Sequence, residues 1–133
     1  MNVNITEYLG IDLDQEMWFC RSCEHKLVSA RDNYKRGLLV YDRDPREIHP
    51  PLIDPEKYEY TFAPDPAYTA LLEYYCPHCG TMVETEYLVP GHPPARDIDL
   101  DLDSLREKAA SWGDATVPSD IPVHARPKHS CNH

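Results

Sequence analysis

The sequence predicts a mainly β chain with extended, proline-rich segments and one short helix near its C-terminal end. Three observations lead there. The apolar stretches are short and several alternate with polar residues, the period of strands. Thirteen prolines interrupt the 133 residues, each removing a backbone donor and fixing φ. Two cysteine pairs, Cys20/Cys23 and Cys76/Cys79, sit at the ends of apolar stretches, where a hairpin would turn.

Taken in order, "QEMWFCRSCEHKLVSAR" (15–31) reads as strand, tight turn and strand, and "GLLVYDRD" (37–44) as a further strand. From 45 to 66, "PREIHPPLIDPEKYEYTFAPDP" is too rich in proline and acid for a regular helix. A loop of that length is usually functional or leans on another surface. "TALLEYYC" and "TMVETEYLV" flank the second cysteine turn. In the latter, Val83, Thr85, Tyr87 and Val89 alternate with Met82, Glu84, Glu86 and Leu88, predicting an antiparallel hairpin. "PGHPPARD" ends it, and "DIDLDLD" (97–103) suits an extended arm with one face docked. Ser104 and Glu107 have capping-box spacing, so "SLREKAASW" is predicted as the helix. The tail after Gly113 shows no sustained periodicity.

The cysteines carry the chemistry. Two residues between paired cysteines let one turn aim both sulfurs at one metal, and four thiolates complete the tetrahedron that zinc favours. Cys20, Cys23, Cys76 and Cys79 are the predicted ligands. In "CPHCG", Pro77 suits the turn's first corner and Gly80 can take a positive φ; in "CRSCE", Glu24 stands where that glycine would be. His78 is expected to be exposed and no ligand. Such a site has no open position for water, so the zinc is expected to be structural. The result is a small zinc-ribbon-like antiparallel β domain over 15–112 with a long proline-rich insertion (45–66), followed by an extended tail (113–133). In that tail His124, His129, Cys131 and His133 could form a second metal group, but a solvated tail is the simpler reading.

The formal charge of -10 repels phosphate backbones, which argues against nucleic acid as a partner. Arg31, Lys35 and Arg36 are the best candidates for a local basic patch, although a solvated turn or strand edge accounts for them as well. No apolar run approaches a membrane span and no signal peptide is visible, so a cytoplasmic protein without a membrane partner is expected. Paired cysteines there more often hold metal than form disulfides. No GxxxxGK[ST] or GxGxxG loop is present, no lysine has biotin-site neighbours, and no nucleophile pairs with a histidine by spacing. The predicted catalytic set is therefore empty.

The segment "EYYCPHCGTMVETEYLVPGHPPARDIDLDLDSL" (73–105), with the upstream cysteine pair, resembles the small gamma subunits of the biotin-independent acetone and acetophenone carboxylases. The shared features are a "YYCP-CG" turn, an acidic strand, a "PG-PP" elbow and an aspartate-rich stretch. The short length and "GHPPARDIDLDLD" suit the acetophenone type better. The resemblance implies a hetero-oligomeric, ATP-dependent ligase that carboxylates a ketone with bicarbonate: acetophenone to benzoylacetate, or less favourably acetone to acetoacetate. ATP and bicarbonate would bind only on large hydantoinase-like partner subunits, with no biotin. This chain would be an accessory, non-catalytic subunit with zinc on Cys20, Cys23, Cys76 and Cys79, and its segments 45–66, 90–103 and 114–133 would contact other subunits. Two readings from the thiolates alone stay open: a rubredoxin-like iron electron carrier, and a nucleic-acid-binding zinc ribbon.

Overall fold

Seven short strands form two antiparallel sheets in the computed structural model, which describes residues 1–51, 54, 56–61 and 63–112. The tail expectations, including the group of His124, His129, Cys131 and His133, lie outside the described residues, as do parts of the proline-rich insertion. The first sheet is a meander of β1 (Asn2–Asn4), β2 (Leu9–Asp12), β3 (Met17–Cys20) and β4 (Lys26–Ser29). A 3₁₀ turn at Tyr34–Gly37 leads into the second sheet, β5 (Leu39–Arg43), β6 (Ala70–Tyr75) and β7 (Met82–Leu88), in that order. The architecture is the mainly β, zinc-ribbon-like one expected.

β1 and β2 were not foreseen, because strands of three or four residues, one of them containing Gly10, carry little periodic signal. Their pairing nevertheless builds the core. Leu9 lies opposite Cys20 and Ile11 opposite Trp18, and all four side chains are buried. Phe19 lies opposite Gly10 on the other face, so close that a Cβ on Gly10 would sit 2.3 Å from its ring. Trp18 meets Tyr34 edge-on with centroids 5.6 Å apart, and its indole N–H donates to the Asp32 carbonyl. Leu102 and Ala109 close this core from the C-terminal helix.

Three elements differ from expectation. The proline-rich insertion opens with one turn of helix, α1 (Pro45–Ile48), capped by Asp44. Proline is compatible with that first position because its missing N–H would have no helical partner anyway. The C-terminal helix, α2 (Leu102–Trp112), starts before Ser104. Its cap is Asp101, whose carboxylate accepts from the Ser104 amide at 3.1 Å; a carboxylate at a helix N-terminus also meets the helix dipole favourably. The predicted alternation in β7 is broken by a bulge: Tyr74 faces Glu84 and Tyr75 faces Met82, leaving Val83 as the extra residue, turned into the core. Thr85 and Tyr87 stay exposed.

α2 is anchored by charge as well as by Leu102. Arg106 donates to the Leu13 carbonyl at 2.7 Å and to Glu16 at 2.8 Å, and Glu16 also takes a two-point contact from Arg31. Hydrogen bonds from Arg31 and then Arg106 hold the Glu16 carboxyl down at about 2. A carboxyl with a depressed folded-state pKa stabilises the fold above its unfolded value of about 4.3 and loses that contribution as pH falls towards 2. Glu16→Gln mimics the protonated state at neutral pH. Faster amide hydrogen exchange across 104–109 is expected in that variant, with β2 and β3 unchanged; equal rates in α2 would contradict the anchoring role.

Candidate metal centre

Two hairpins of matching geometry deliver the four cysteines. β3 ends at Cys20 and the chain turns through Cys23 into β4; β6 leads to Cys76 and turns through Cys79 into β7. In the first turn the Cys20 amide donates to the His25 carbonyl at 2.9 Å and the Glu24 amide to the Cys20 carbonyl at 2.7 Å. In the second, Cys76 donates to Thr81 at 2.9 Å and Gly80 to Cys76 at 3.0 Å. Position for position the bonds are the same. The turn needs a left-handed residue after its second cysteine, and Gly80 takes it at φ 75°. Glu24 takes it too, at φ 64°, a conformation costing a non-glycine residue roughly 1–2 kcal/mol. The missing glycine in "CRSCE" therefore leaves the turn's shape intact, at some strain.

The sulfurs converge. Cys20 Sγ lies 3.7 Å from Cys79 Sγ, and Cys23 Sγ lies 3.7 Å from Cys76 Sγ; all four are within 4.8 Å of one another. These are free thiols, far beyond the S–S bond length of about 2.05 Å. A tetrahedron with metal–sulfur bonds of about 2.3 Å has sulfurs about 3.8 Å apart, so the donor set fits one tetrahedral metal ion. Cys20 and Cys76 are buried, Cys23 is half-buried and Cys79 is exposed. Burial pushes the Cys20 thiol up and the Cys23 thiol to about 12. Cys79 goes the other way, to about 6, because the Thr81 hydroxyl and then the Thr81 amide donate to its thiolate. His78 is exposed, outside the sulfur group, and stacks flat on His25 with centroids 5.1 Å apart.

A second constellation escaped the sequence reading. Lys35 does not belong to a basic patch, nor does it lie on a solvated turn or strand edge: its side chain is 4% exposed. Its ammonium lies 3.1 Å from Glu86, 3.4 Å from Asp97 and 2.8 Å from the Ala95 carbonyl. It also lies 5.3 Å from the centre of the Tyr74 ring and 5.8 Å from that of Tyr34. Tyr74 donates to Glu86 at 2.7 Å and Tyr34 to Asp97 at 3.1 Å, while burial and these carboxylates push both phenols well above their ordinary range. Arg31 is held by Glu16 and Arg36 by Asp32, so the three candidates form no common patch. The Lys35 group ties the arm of residues 95–97 to the 3₁₀ turn and to β7. Part of the segment expected to reach other subunits is thus used within the chain, with Ile98 packed on the core.

No described helix is long and apolar enough to cross a membrane. Residues 1–110 match the acetone carboxylase gamma subunit family. Over 106 residues the chain is 51% identical to the acetophenone carboxylase beta subunit of Aromatoleum aromaticum (strain DSM 19018 / LMG 30748 / EbN1), covering 80% of each protein. Over 103 residues it is 30% identical to the acetone carboxylase gamma subunit of Xanthobacter autotrophicus (strain ATCC BAA-1158 / Py2), covering 76% of this chain and 56% of that protein. With a four-cysteine group suited to a metal and a family match across both cysteine hairpins, the chain belongs to the acetone carboxylase gamma subunit family.

Proposed function

We propose that the chain is the non-catalytic, zinc-binding structural subunit of a biotin-independent, ATP-dependent ketone carboxylase, with Cys20, Cys23, Cys76 and Cys79 as the ligands. The observation that carries the metal role is the sulfur tetrahedron itself. Four thiolates close the coordination sphere of zinc and leave no place for a substrate or a water. Zinc then acts as a cross-link between two hairpins that the sequence separates by 52 residues. The greater identity to the acetophenone carboxylase subunit favours acetophenone and bicarbonate, forming benzoylacetate, over acetone forming acetoacetate. ATP and bicarbonate are handled on large hydantoinase-like subunits of a cytoplasmic hetero-oligomer.

The test is gentle purification of the tagged full chain from its own cells, with identification of what accompanies it and assay of the eluate. Expected are stoichiometric large subunits, about one zinc per chain, and ketone consumption that requires ATP and bicarbonate. A chain that arrives alone, folded and metal-loaded, would overturn the subunit reading. A red protein with ferric tetrathiolate absorption would replace zinc by iron, which four thiolates also accept.

A further inference from the structure

The second sheet has one face on which Tyr74 is buried and an outer face on which β6 keeps Leu71 and Glu73 buried while the flanking strands β5 and β7 are largely exposed. The strand registers place Leu39 beside Tyr75, with Met82 beyond; Tyr41 beside Glu73; and Arg43 beside Leu71, with Tyr87 beyond. These side chains share the outer face, opposite the one on which Tyr74 and Glu86 meet Lys35. Four large apolar members are strongly exposed: Leu39 at 58%, Tyr41 at 48%, Met82 at 44% and Tyr87 at 55%. At their centre Glu73 is buried, held by Arg43 at 2.8 Å and by the Tyr75 hydroxyl at 2.8 Å, while Arg43 packs over the Tyr41 ring at 4.9 Å. Single exposed apolar residues need no explanation, but a contiguous patch marks an interaction site. Tyrosine, arginine and methionine around an ordered centre are the residues enriched in protein–protein interfaces.

The patch reaches an open edge. Among the described residues β5 pairs only with β6, and Leu39, Val40 and Tyr41 are three consecutive exposed apolar residues on it. An unpaired apolar edge invites self-association unless something covers it. A groove of about 450 Å³ adjoins this edge, lined by Asp42, Arg43 and Asp44 as well as by Pro45, Leu72 and Leu88.

We infer that the outer face of the second sheet, with the β5 edge, is where a large subunit of the carboxylase docks, presenting apolar side chains ringed by basic ones. This rests on the reading of the chain as a carboxylase subunit. Charge decides between occupants. At the β5–α1 end Arg46 pairs with Asp44, and Arg43 with Glu47 and Glu73, so the acids there, Asp42 included, outnumber the bases, and the whole chain carries -10. A second copy would bring the same acids against them, whereas a basic rim complements them. The acidic flank equally disfavours nucleic acid and an anionic lipid surface.

The experiment compares the tagged full-length wild type with a Tyr41→Asp/Tyr87→Asp double variant and a Glu7→Lys control, all purified from the native cells. Metal content and thermal midpoint of the free subunit report whether the fold survives. The double variant is expected to keep both and to recover at least tenfold less of the large subunits, while Glu7→Lys recovers them fully. Undiminished recovery by the double variant would overturn the inference. Hydrogen exchange on the wild type, free and assembled, provides a readout without any substitution: slower exchange at 39–43 and 82–88 in the complex is expected, and unchanged rates overturn the inference. A wild-type homodimer dispersed by the double variant would overturn it in favour of a second copy. Wild type arriving with no large subunit would remove the carboxylase reading itself, and this inference with it.

Discussion

Cys76→Ser is expected to abolish metal binding and with it the folded state. Cys76 and Cys20 belong to the same buried core cluster as Trp18, Ile11 and Val83, so the metal would sit at the seam between the sheets. The seam is crossed by the sulfur group, by Val83 packed with the first-sheet core and by the Lys35 group. Structural zinc contributes on the order of 10 kcal/mol in small modules, comparable with the whole stability of a small domain, about 5–15 kcal/mol. Far-ultraviolet circular dichroism of the metal-loaded chain should therefore show native strand signal in the wild type and a largely disordered spectrum in the variant. Complete chelation of the wild type should do the same. A chelated chain with an unchanged spectrum and melting profile would refute this reading.

Lys35→Met is expected to cost about 3–5 kcal/mol, the loss typical when one member of a buried ion pair is removed and its partner left behind. The loss has two parts. Glu86, whose side chain is 12% exposed, loses its cation, and the Ala95 carbonyl loses a buried donor. Asp97, less buried, adds less. Methionine fills much of the same volume, so the change isolates the charge from the packing. Arg36→Met, on the adjacent residue but with a side chain 73% exposed, should change stability by less than about 1 kcal/mol, as exposed pairs do. Denaturant unfolding of the metal-loaded variants compares the two. A Lys35→Met midpoint equal to that of Arg36→Met would show that the buried group contributes nothing.

The same two sites show how far the sequence could be read. The cysteine pairs were legible because a metal-binding turn is a local object: two residues between sulfurs, a corner proline and a left-handed position lie within six residues. Only Glu24 obscured the first turn, and the backbone adopts the required φ there despite its side chain. The β6–β7 hairpin was legible for a similar reason, since period-two alternation and a turn signal suffice. The bulge at Val83 was not, because an extra residue in one strand is defined only by its register against the other. The short N-terminal strands gave too few residues for a period to emerge.

By itself, then, the sequence determined the fold class, the two hairpins, the four candidate ligands and, through its resemblance, the family. Each of these is written in contiguous residues or in a fixed spacing. Only the tertiary structure decided that Lys35 is buried, that Asp101 and not Ser104 caps α2, and that the exposed side chains of Leu39, Tyr41, Met82 and Tyr87 share one face. The burial of Lys35 and the shared face depend on residues 28 to 60 positions apart in the chain, and the cap depends on where packing lets α2 begin. A charge or an apolar side chain looks the same in the sequence whether its neighbour in space is water, a carboxylate or another subunit.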